Sequence, residues 1–261
     1  MKVPYGAIER EMDVKTNAEW EALFRGWKPA MLRSCLQGHM GRVLEAGDGP
    51  DSALALIGDF CFLAGRPDRG LLRRARVPLL VPLTEGWAEL IRRELGARAR
   101  PFTRYATREE PERFDRERLA RMAEALPEGV RLTAIGEGLY PALMAQSWSR
   151  DLCGNFRDGA DFARRGLGVA ALLNGEPVAG AASYAVCDGG IEVEIDTAPP
   201  FRRRGLARAC GARLILDCLD RGWYPGWDAH DRRSLALAEQ LGYRLSRPYT
   251  AFWVEEWAKG D

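Results

Sequence analysis

Histidine, paired cysteine motifs and long apolar runs are the features this sequence has least of, and each scarcity excludes a class of protein. The 261 residues include only two histidines, His39 and His230, so the sequence shows no ligand set of the zinc type and predicts no metal site. Its six cysteines contain no CxxC pair and are predicted to be buried free thiols in a reducing cytoplasm. No stretch approaches the roughly 18 apolar residues of a membrane span, and the first residues lack a signal-peptide core. We therefore expect a cytoplasmic protein.

An excess of charge of either sign is also missing. The 38 basic and 37 acidic residues leave a formal net charge of +1. This balance argues against a main activity on a nucleic-acid backbone or an anionic membrane, so neither is expected as a partner. Any basic binding site must therefore be local. The sequence indicates no oligomeric state.

The first half of the chain predicts three elements before its charge-rich end. Residues 18–27 have the spacing of a short amphipathic helix. Residues 53–65 form an apolar run with aromatic and branched side chains, which predicts a buried strand. Residues 85–96 predict a helix that ends at Gly96.

A helix terminator near the middle of the chain predicts the domain boundary. Pro127-Glu128-Gly129 follows a charge-rich helical segment, and proline and glycine at this spacing end a helix. We place the boundary near residue 127. The expected architecture is an α/β domain over residues 1–127 and a second domain over 128–261.

The second half alternates strands and helices regularly. Asn174-Gly175 and Asp188-Gly189-Gly190 predict two tight turns between strands. The second turn leads into Ile191–Thr197, where apolar and acidic residues alternate as in a half-buried strand. A helix at residues 206–222, a short strand at 223–229, a helix ended by Gly242 and a terminal strand are predicted to follow.

Between that strand and its helix lies the loop TAPPFRRRGLA, residues 197–207. A helix N-terminus leaves about four backbone N–H groups without partners and attracts anions. Gly205 permits close approach of a ligand, and the arginines add cations that suit a ligand with several phosphates. The alternative is an exposed basic loop that only caps the helix. The sequence contains neither GxxxxGK[ST] nor a GxGxxG fingerprint.

The pattern Arg202-x-x-Gly205-x-Ala207 matches the R/Q-x-x-G-x-G/A signature of the GNAT acetyltransferase superfamily, and residues 225–245 resemble its strand, corner and helix. The resemblance covers residues 130–256. Within the superfamily, the loop together with the P-x-W-D stretch at residues 225–228 resembles the branch named for zwittermicin A resistance proteins. It implies a mixed α/β GNAT acyl-CoA N-acyltransferase fold in the C-terminal half. The N-terminal α/β domain then either shapes the acceptor side or is a degenerate GNAT-like copy.

The resemblance implies that acetyl-CoA lies between two splayed strands, residues 192–197 and 224–228. Main-chain groups of Ile195 and Thr197 are implied to bind the pantetheine arm and acetyl carbonyl, and the amides from Arg203 to Ala207 the pyrophosphate. The cofactor-binding residues implied in this way are Ile195, Asp196, Thr197, Arg202, Arg203, Arg204, Gly205, Leu206, Ala207, Arg208, Asp231 and Ser234. No metal is implied.

The reaction needs a base that takes a proton from the attacking amine. Glu194 is preferred, with Glu192 and then Asp196 as the other candidates on the same strand face; the alternative is a solvent-facing strand edge.

The chain departs from the superfamily pattern at two further positions. Asp231 stands at the Asn-like corner, and Ala238 stands where many members have the Tyr that protonates the thiolate. His230, Tyr249 and Ser234 are the substitutes considered, each acting through a water. The alternative is that the thiolate leaves unassisted, and the sequence does not choose among these.

The function implied is acetyl transfer from acetyl-CoA to a primary amine of a small molecule, such as an amino-antibiotic or a metabolite. The alternative is a CoA-binding regulatory or interaction module without turnover. An RNA-modifying protein is disfavoured by the balanced charge.

Overall fold

The structure is a computed structural model that describes residues 17–46 and 51–258. The chain divides into two compact units. Unit 1 comprises the described residues up to Lys28, then Leu32–Arg104, and those from Tyr249 onward, whereas unit 2 comprises Pro29–Met31 and Tyr105–Pro248. Every helix in these described ranges is too short or too polar to cross a bilayer.

Helices and strands alternate along most of the chain. The first elements are α1 (Asn17–Leu23), α2 (Ala30–Leu36), β1 (Arg42–Glu45), β2 (Ser52–Ile57), β3 (Phe60–Gly65), α3 (Arg69–Arg74), β4 (Leu79–Pro82), α4 (Glu85–Leu95) and β5 (Ala99–Thr107). Then follow α5 (Arg116–Glu124), β6 (Val130–Ala134), α6 (Tyr140–Ala145), α7 (Arg150–Cys153), α8 (Gly159–Arg165), β7 (Gly168–Leu173), β8 (Glu176–Cys187), β9 (Gly190–Thr197), α9 (Leu206–Asp220), β10 (Tyr224–Gly226), β11 (Asp228–Ala229), α10 (Arg232–Leu241), β12 (Leu245–Val254) and α11 (Glu255–Ala258).

The sheet of unit 1 has the strand order β1-β2-β3-β4-β12-β5. Strands β1, β2 and β3 are antiparallel, and β4 runs parallel to β3. The single buried strand expected over residues 53–65 is therefore wrong: the run is a hairpin. Gly58, with φ of 52°, permits the tight turn with Asp59. Because nearly every side chain of both strands is buried, apolar and polar residues do not alternate along them, and the sequence pattern does not show where one strand ends.

Helix α4 confirms the element predicted over residues 85–96. Thr84 accepts from the N–H of Trp87 at the start of the helix, and Gly96 stands at its end. Trp87, Leu90 and Ile91 are buried in the core of unit 1. The helical spacing of the apolar residues thus identified the buried face.

The sheet of unit 2 has the order β10-β9-β8-β7-β6. Strands β6 to β9 are antiparallel, and β10 is parallel to β9. The predicted turn Asn174-Gly175 is present, with both residues at positive φ (52° and 88°), as the tightest hairpin turns require. The mixed α/β fold expected from the sequence is confirmed in this half.

The boundary predicted near residue 127 lies inside unit 2. Helix α5 precedes that point, and its Leu119 and Ala123 share a hydrophobic cluster with Ala212 and Ile215 of α9. The division between the units falls instead at residues 104/105 and 248/249, inside β5 and β12. A helix terminator marks the end of α5, but tertiary packing keeps α5 in the unit that follows.

All six cysteines are buried thiols outside any disulfide, as predicted. Burial raises the pKa of the Cys35, Cys153, Cys210 and Cys218 thiols to about 12. These thiols are therefore protonated at neutral pH and are not nucleophiles.

Candidate functional site

The parallel pair β9–β10 opens after three residue pairs. Tyr224 pairs with Gly190, Pro225 with Ile191 and Gly226 with Glu192. Beyond Gly226 the chain leaves β9, because Asp228 and Ala229 pair with β5 instead. The single short strand predicted over residues 223–229 is therefore two strands in different ladders. The edge of β9 from Val193 to Thr197 faces a gap.

Backbone groups of alternate residues point into this gap. The N–H of Tyr224 donates to the carbonyl of Gly189 at 2.8 Å, whereas the N–H of Ala198 donates to the carbonyl of Val178, on the β8 side, at 2.9 Å. Because successive backbone groups of a strand alternate in direction, the odd-numbered residues of β9 face the β10 side. Ile195 therefore presents its N–H and carbonyl at the centre of the gap.

Thr197, at the end of the gap, is hydrogen-bonded to its neighbours on the loop. Its N–H donates to Oδ1 of Asp196 at 2.6 Å, and its carbonyl accepts from Nε of Arg202 at 3.0 Å. The same guanidinium lies 3.7 Å from the Asp196 carboxylate. The sequence predicts two ligand-binding backbone positions on β9. Ile195 lies where the edge of β9 is open, whereas Thr197 connects β9 to the loop.

The side chains of β9 divide between an apolar and an acidic face. Val193 and Ile195 pack against the core cluster that includes residues of α9. Alternation places Glu192, Glu194 and Asp196 on the opposite face. Glu192 is buried, with 3% of its surface exposed, whereas Glu194 and Asp196 are half-buried. The alternative of a solvent-facing strand edge is therefore wrong for Glu192.

Burial raises the pKa of the Asp196 carboxyl above its ordinary value. The nearby Asp151 adds to this rise, while the N–H of Thr197 and the Arg202 guanidinium oppose it. Asp151 belongs to α7, which packs against β8 and β9. This acidic contribution from another helix has no signal in the sequence around β9.

The loop after β9 turns the chain sharply into helix α9. Pro199–Phe201 form a 3-10 turn, and Arg203 and Gly205 both have positive φ, 66° and 80°. The guanidinium of Arg204 lies over the ring of Phe201 at 5.3 Å. Gly205 is the N-cap of α9 and supplies no side chain to cap the helix.

Six consecutive backbone amides at this helix start, from Arg203 to Arg208, donate no hydrogen bond within the described part of the chain. The first acceptor in use is the carbonyl of Gly205, which bonds the N–H of Ala209 at 3.0 Å. The buried Nε of Arg208 likewise has no partner among the described residues. Free amides and the positive end of the helix dipole together form a site for an anion.

Comparison with known proteins decides the family. The sequence profile described as GNAT acetyltransferase matches residues 21–252. This chain belongs to the GNAT acetyltransferase family. The match begins in the first half of the chain, so the GNAT relationship extends beyond residues 130–256, where the sequence motifs lie. Members of this family use acetyl-CoA and an acceptor substrate.

Solved structures agree with the family assignment. A GCN5-related N-acetyltransferase-like protein from Streptococcus suis 89/1591 is 44% identical, with a TM-score of 0.87 over 91% of this chain and 97% of that chain. A tandem GNAT protein from the clavulanic acid biosynthesis pathway is 13% identical, with a TM-score of 0.55 over 92% of this chain and 95% of that one, and shows likeness of fold alone. The mixed α/β GNAT fold is confirmed.

One curated relative matches only in part. The uncharacterized N-acetyltransferase YdfB of Bacillus subtilis (strain 168) is 31% identical over 96 residues. The aligned stretch covers 36% of this GNAT chain and 37% of that relative's length.

The corner that begins α10 is built from two predicted residues. Asp231 caps the helix by accepting from the N–H groups of Arg233 and Ser234, both at 2.8 Å. These bonds, that of Ser234 first, hold the pKa of Asp231 below its ordinary value. Ser234 Oγ accepts from Nε1 of Trp227 at 3.2 Å. Asp231 therefore fixes the start of α10, and Ser234 holds the side chain of Trp227, which lies between β10 and β11.

His230 and Tyr249, two of the residues predicted to replace the missing general acid, lie in different units. His230 is exposed in unit 2 at the end of β11. Tyr249 is half-buried in unit 1, where its hydroxyl accepts from Nε of Arg104 at 3.2 Å. Ala238 is fully buried beside Leu241 in the core of unit 2. A methyl group in the core therefore stands where many GNAT proteins have the tyrosine.

Tyr243 was not singled out by the sequence. Its hydroxyl donates to the carbonyl of Pro225 in β10 at 2.7 Å, and burial raises its pKa well above the ordinary value. The ring contacts Phe114 and Trp227, with centroids 5.0 and 5.4 Å apart. The side chain thus anchors the short strand just before the gap opens. Its position in the LGY end of α10 was the signal available in the sequence.

Proposed function

We propose that this GNAT protein transfers the acetyl group of acetyl-CoA to a primary amine of a small molecule. The observation that carries the proposal is one continuous path. The gap along Val193–Thr197 leads directly into a loop where the six amides from Arg203 to Arg208 have no acceptor among the described residues. An extended pantetheine arm fits an open strand edge, and a pyrophosphate fits a row of amide donors. Along the chain, the open strand edge comes directly before the loop, just as the pantetheine arm of acetyl-CoA is attached directly to its pyrophosphate.

The cationic residues around the loop support the assignment. Arg203 and Arg204 are exposed, and Arg208 is half-buried with its Nε inside. Guanidinium groups bind phosphate oxygens through charge-assisted hydrogen bonds. The guanidinium of Arg202 already donates to the carbonyl of Thr197 and lies beside the carboxylate of Asp196. Its role is therefore to join the loop to the edge of β9.

When bound, acetyl-CoA supplies an acyl group activated as a thioester. The chain contributes the backbone N–H of Ile195, aimed into the gap, as a donor to a developing oxyanion. Glu194 is the proposed base, because it is half-buried on the acidic face of β9 and takes a proton from the amine directly or through water. Asp196 and Asp151 add negative charge that attracts a cationic amine.

The resemblance to zwittermicin A resistance proteins supports an amino-antibiotic or a related metabolite as acceptor. No side chain is assigned to protonate the departing thiolate. His230, Tyr249 and Ser234 are the three candidates carried from the sequence.

Ala238 favours a second candidate function, a CoA-binding regulatory or interaction module without turnover, because this position offers no proton donor. A panel of small amines with detection of the released thiol separates the two functions. Turnover with any amine supports the enzyme. Binding of acetyl-CoA with no thiol release across the panel supports the module.

The cofactor site is tested by thermal unfolding with acetyl-CoA. A ligand at 100 times its Kd stabilises the folded state by about 2.7 kcal/mol, so the Tm of the wild-type chain should rise. Gly205→Glu should abolish the rise, because it places a carboxylate at the amide cluster. Gly222→Glu is the matched control: Gly222 also has positive φ (68°) and open space around it, and its variant should keep the rise. A folded Gly205→Glu protein with the full rise would refute the site.

A further inference from the structure

Units 1 and 2 repeat one order of elements. In unit 1 the hairpin β2-β3 is followed by α3, by β4 parallel to β3, and by α4. In unit 2 the hairpin β8-β9 is followed by α9, by β10 parallel to β9, and, after β11, by α10. The two helix starts also share sequence: residues 69–73 are RGLLR and residues 204–208 are RGLAR. The chain therefore contains two versions of one supersecondary plan.

We infer that only the unit 2 version admits acetyl-CoA, so that each chain binds one molecule and unit 1 is a closed copy. The inference rests on the proposed function for unit 2. Four features of unit 1 differ from the same positions of unit 2, and the first three oppose binding of acetyl-CoA there.

The parallel strands of unit 1 do not open. Pairing of β3 with β4 runs from Phe60↔Leu79 to Leu63↔Pro82, the last residue of β4. The N–H of Leu83, beyond that end, still donates to the carbonyl of Leu63 at 2.9 Å. In unit 2 the equivalent pairing stops at Glu192 and leaves Val193–Thr197 without β10. The β3–β4 pair therefore offers an extended ligand arm no splayed edge like that of β9.

Trp87 occupies the end of the closed pair. Its indole N–H donates to the carbonyl of Ala64 in β3 at 3.0 Å, and the side chain is fully buried. A ligand arm entering here would have to displace a tryptophan from the core of unit 1, where it packs with Leu63 and Ile91.

The helix start in unit 1 is already capped by an anion of the chain itself. Oδ1 of Asp68 accepts from the N–H of Leu71 at 2.7 Å. The N–H of Arg66, in the loop before α3, donates to the carbonyl of Asp51 at 2.6 Å. The loop here is only residues 66–68, against 198–205 in unit 2. A carboxylate at the helix start takes an amide that a phosphate would need and repels the phosphate charge.

The acidic face is missing as well. In the third parallel pair of each unit, Phe62 opposes Val81 in unit 1, whereas Glu192 opposes Gly226 in unit 2. Residues 60–64 of β3 are all buried and apolar or cysteine. Among the described residues, β3 thus offers neither a splayed cofactor path nor an acidic face like that of β9.

Native mass spectrometry and isothermal titration of the full chain with acetyl-CoA test the inference. One molecule should bind per chain. Two molecules per chain would overturn the inference while leaving the proposed function intact. No binding at all would overturn the proposed function and the inference together.

A matched pair of variants locates the one molecule. Gly70 and Gly205 are the equivalent glycines of RGLLR and RGLAR, and Gly70 is exposed. Gly70→Glu should leave the stoichiometry at one and the Kd within about twofold, whereas Gly205→Glu should remove binding, with folding of both checked by circular dichroism. Binding lost in Gly70→Glu and kept in Gly205→Glu would place the ligand in unit 1 and refute the inference. If Gly205→Glu does not fold, the wild-type stoichiometry and Gly70→Glu still decide.

Discussion

Glu192 and Glu194 lie on the same face of one strand, but their surroundings differ. Glu192 is 3% exposed beside Gly226, where a Cβ would lie 3.5 Å from its Oε2. Glu194 is half-buried on the part of β9 that β10 leaves open. Only the second position combines access with partial desolvation, which is what a base acting on a bound amine needs.

The first prediction follows for Glu194→Gln, which keeps the shape of the side chain and removes its basicity. Turnover with an accepted amine should fall by roughly 10²–10⁴-fold, while the Tm rise with acetyl-CoA stays unchanged. The defect should shrink at high pH, because an amine that is already neutral needs less help. Steady-state rates across pH measure both effects.

Glu192→Gln is the comparison for that prediction. It removes a charge from the same face without removing the proposed base, so its effect on turnover should be smaller and independent of pH. Equal, pH-independent losses in both variants would mean that the acids only attract the substrate and that Glu194 is not the base.

At the residue scale, Asp161 lies at the centre of a cluster of three arginines, Arg157, Arg164 and Arg165. Its side chain is 1% exposed and accepts from the guanidinium groups of Arg164 and Arg165 at 2.9 and 2.7 Å. The backbone N–H of Arg157 also donates to it at 3.3 Å. The bonds from Arg165, above all, hold the pKa of this carboxyl far below its ordinary value.

The second prediction concerns Asp161→Asn and its pH dependence. A carboxylate with a lowered folded-state pKa stabilises the protein above its unfolded pKa of about 3.9, and this contribution is lost as the pH falls toward the folded value. The variant should lower the free energy of unfolding by about 1.5–3 kcal/mol at pH 7, as for hydrogen bonds to a charged group. Urea unfolding should show a smaller difference at pH 3. A difference that does not depend on pH would contradict the assignment.

At the scale of elements, the position of β10 beside β9 depends on the close approach of Gly190 and Tyr224, the first residue pair of the two strands. A Cβ at Gly190 would lie 2.5 Å from the carbonyl oxygen of Tyr224. Just beyond, the hydroxyl of Tyr243 holds the carbonyl of Pro225. Strand β10 is therefore fixed beside β9 at its first residues, and its pairing with β9 ends at Gly226.

The third prediction is that Gly190→Ala forces β10 away from β9. Overpacking of this kind costs about 1–3 kcal/mol, and acetyl-CoA affinity should fall, since the strand edge is displaced. Chemical unfolding and ligand titration measure the two effects. Gly138→Ala, in a loop with no atom within 4 Å of the added methyl group, should be neutral in both. A stable Gly190→Ala protein with normal affinity would show that the close approach does not position the site.

At the scale of the whole molecule, the chain enters and leaves each unit more than once. Phe252 and Trp253 of β12 pair with Leu80 and Leu79 of β4 in unit 1. Helix α5 lies before the predicted boundary, yet its Leu119 and Ala123 pack in unit 2. A cut at residue 127 therefore divides a hydrophobic core rather than a linker.

The fourth prediction compares two fragments. Residues 128–261 should melt lower than residues 105–261, because the shorter fragment lacks Phe114 and Leu119, and each such side chain contributes about 1.5–3 kcal/mol when buried. Both fragments lack β4, so the unpaired end of β12 is common to them. Circular dichroism melts provide the measurement. Equal melting temperatures would mean that α5 is dispensable and that 127 is an adequate boundary.

Local patterns determined much of unit 2 without any tertiary information. Asn174-Gly175 specified its turn because few residues tolerate two successive positive φ angles. The alternation over Ile191–Thr197 specified a strand with one acidic face, and the spacing after Gly205 specified a helix with a glycine at its start. Each depends on residues close together in the chain, where backbone sterics and the period of side-chain burial decide the outcome.

Tertiary structure alone decided the features that join distant segments. Every residue of β2 and nearly every residue of β3 is buried, so the apolar run over residues 53–65 shows no change of pattern at its turn. The gap exists because Asp228 and Ala229 pair with Ala106 and Tyr105 of β5, which lies far earlier in the chain. The burial of Glu192 and the place of β12 likewise depend on partners far away in sequence. No local period encodes such pairings, because their free energy comes from surfaces that meet only after the chain has folded.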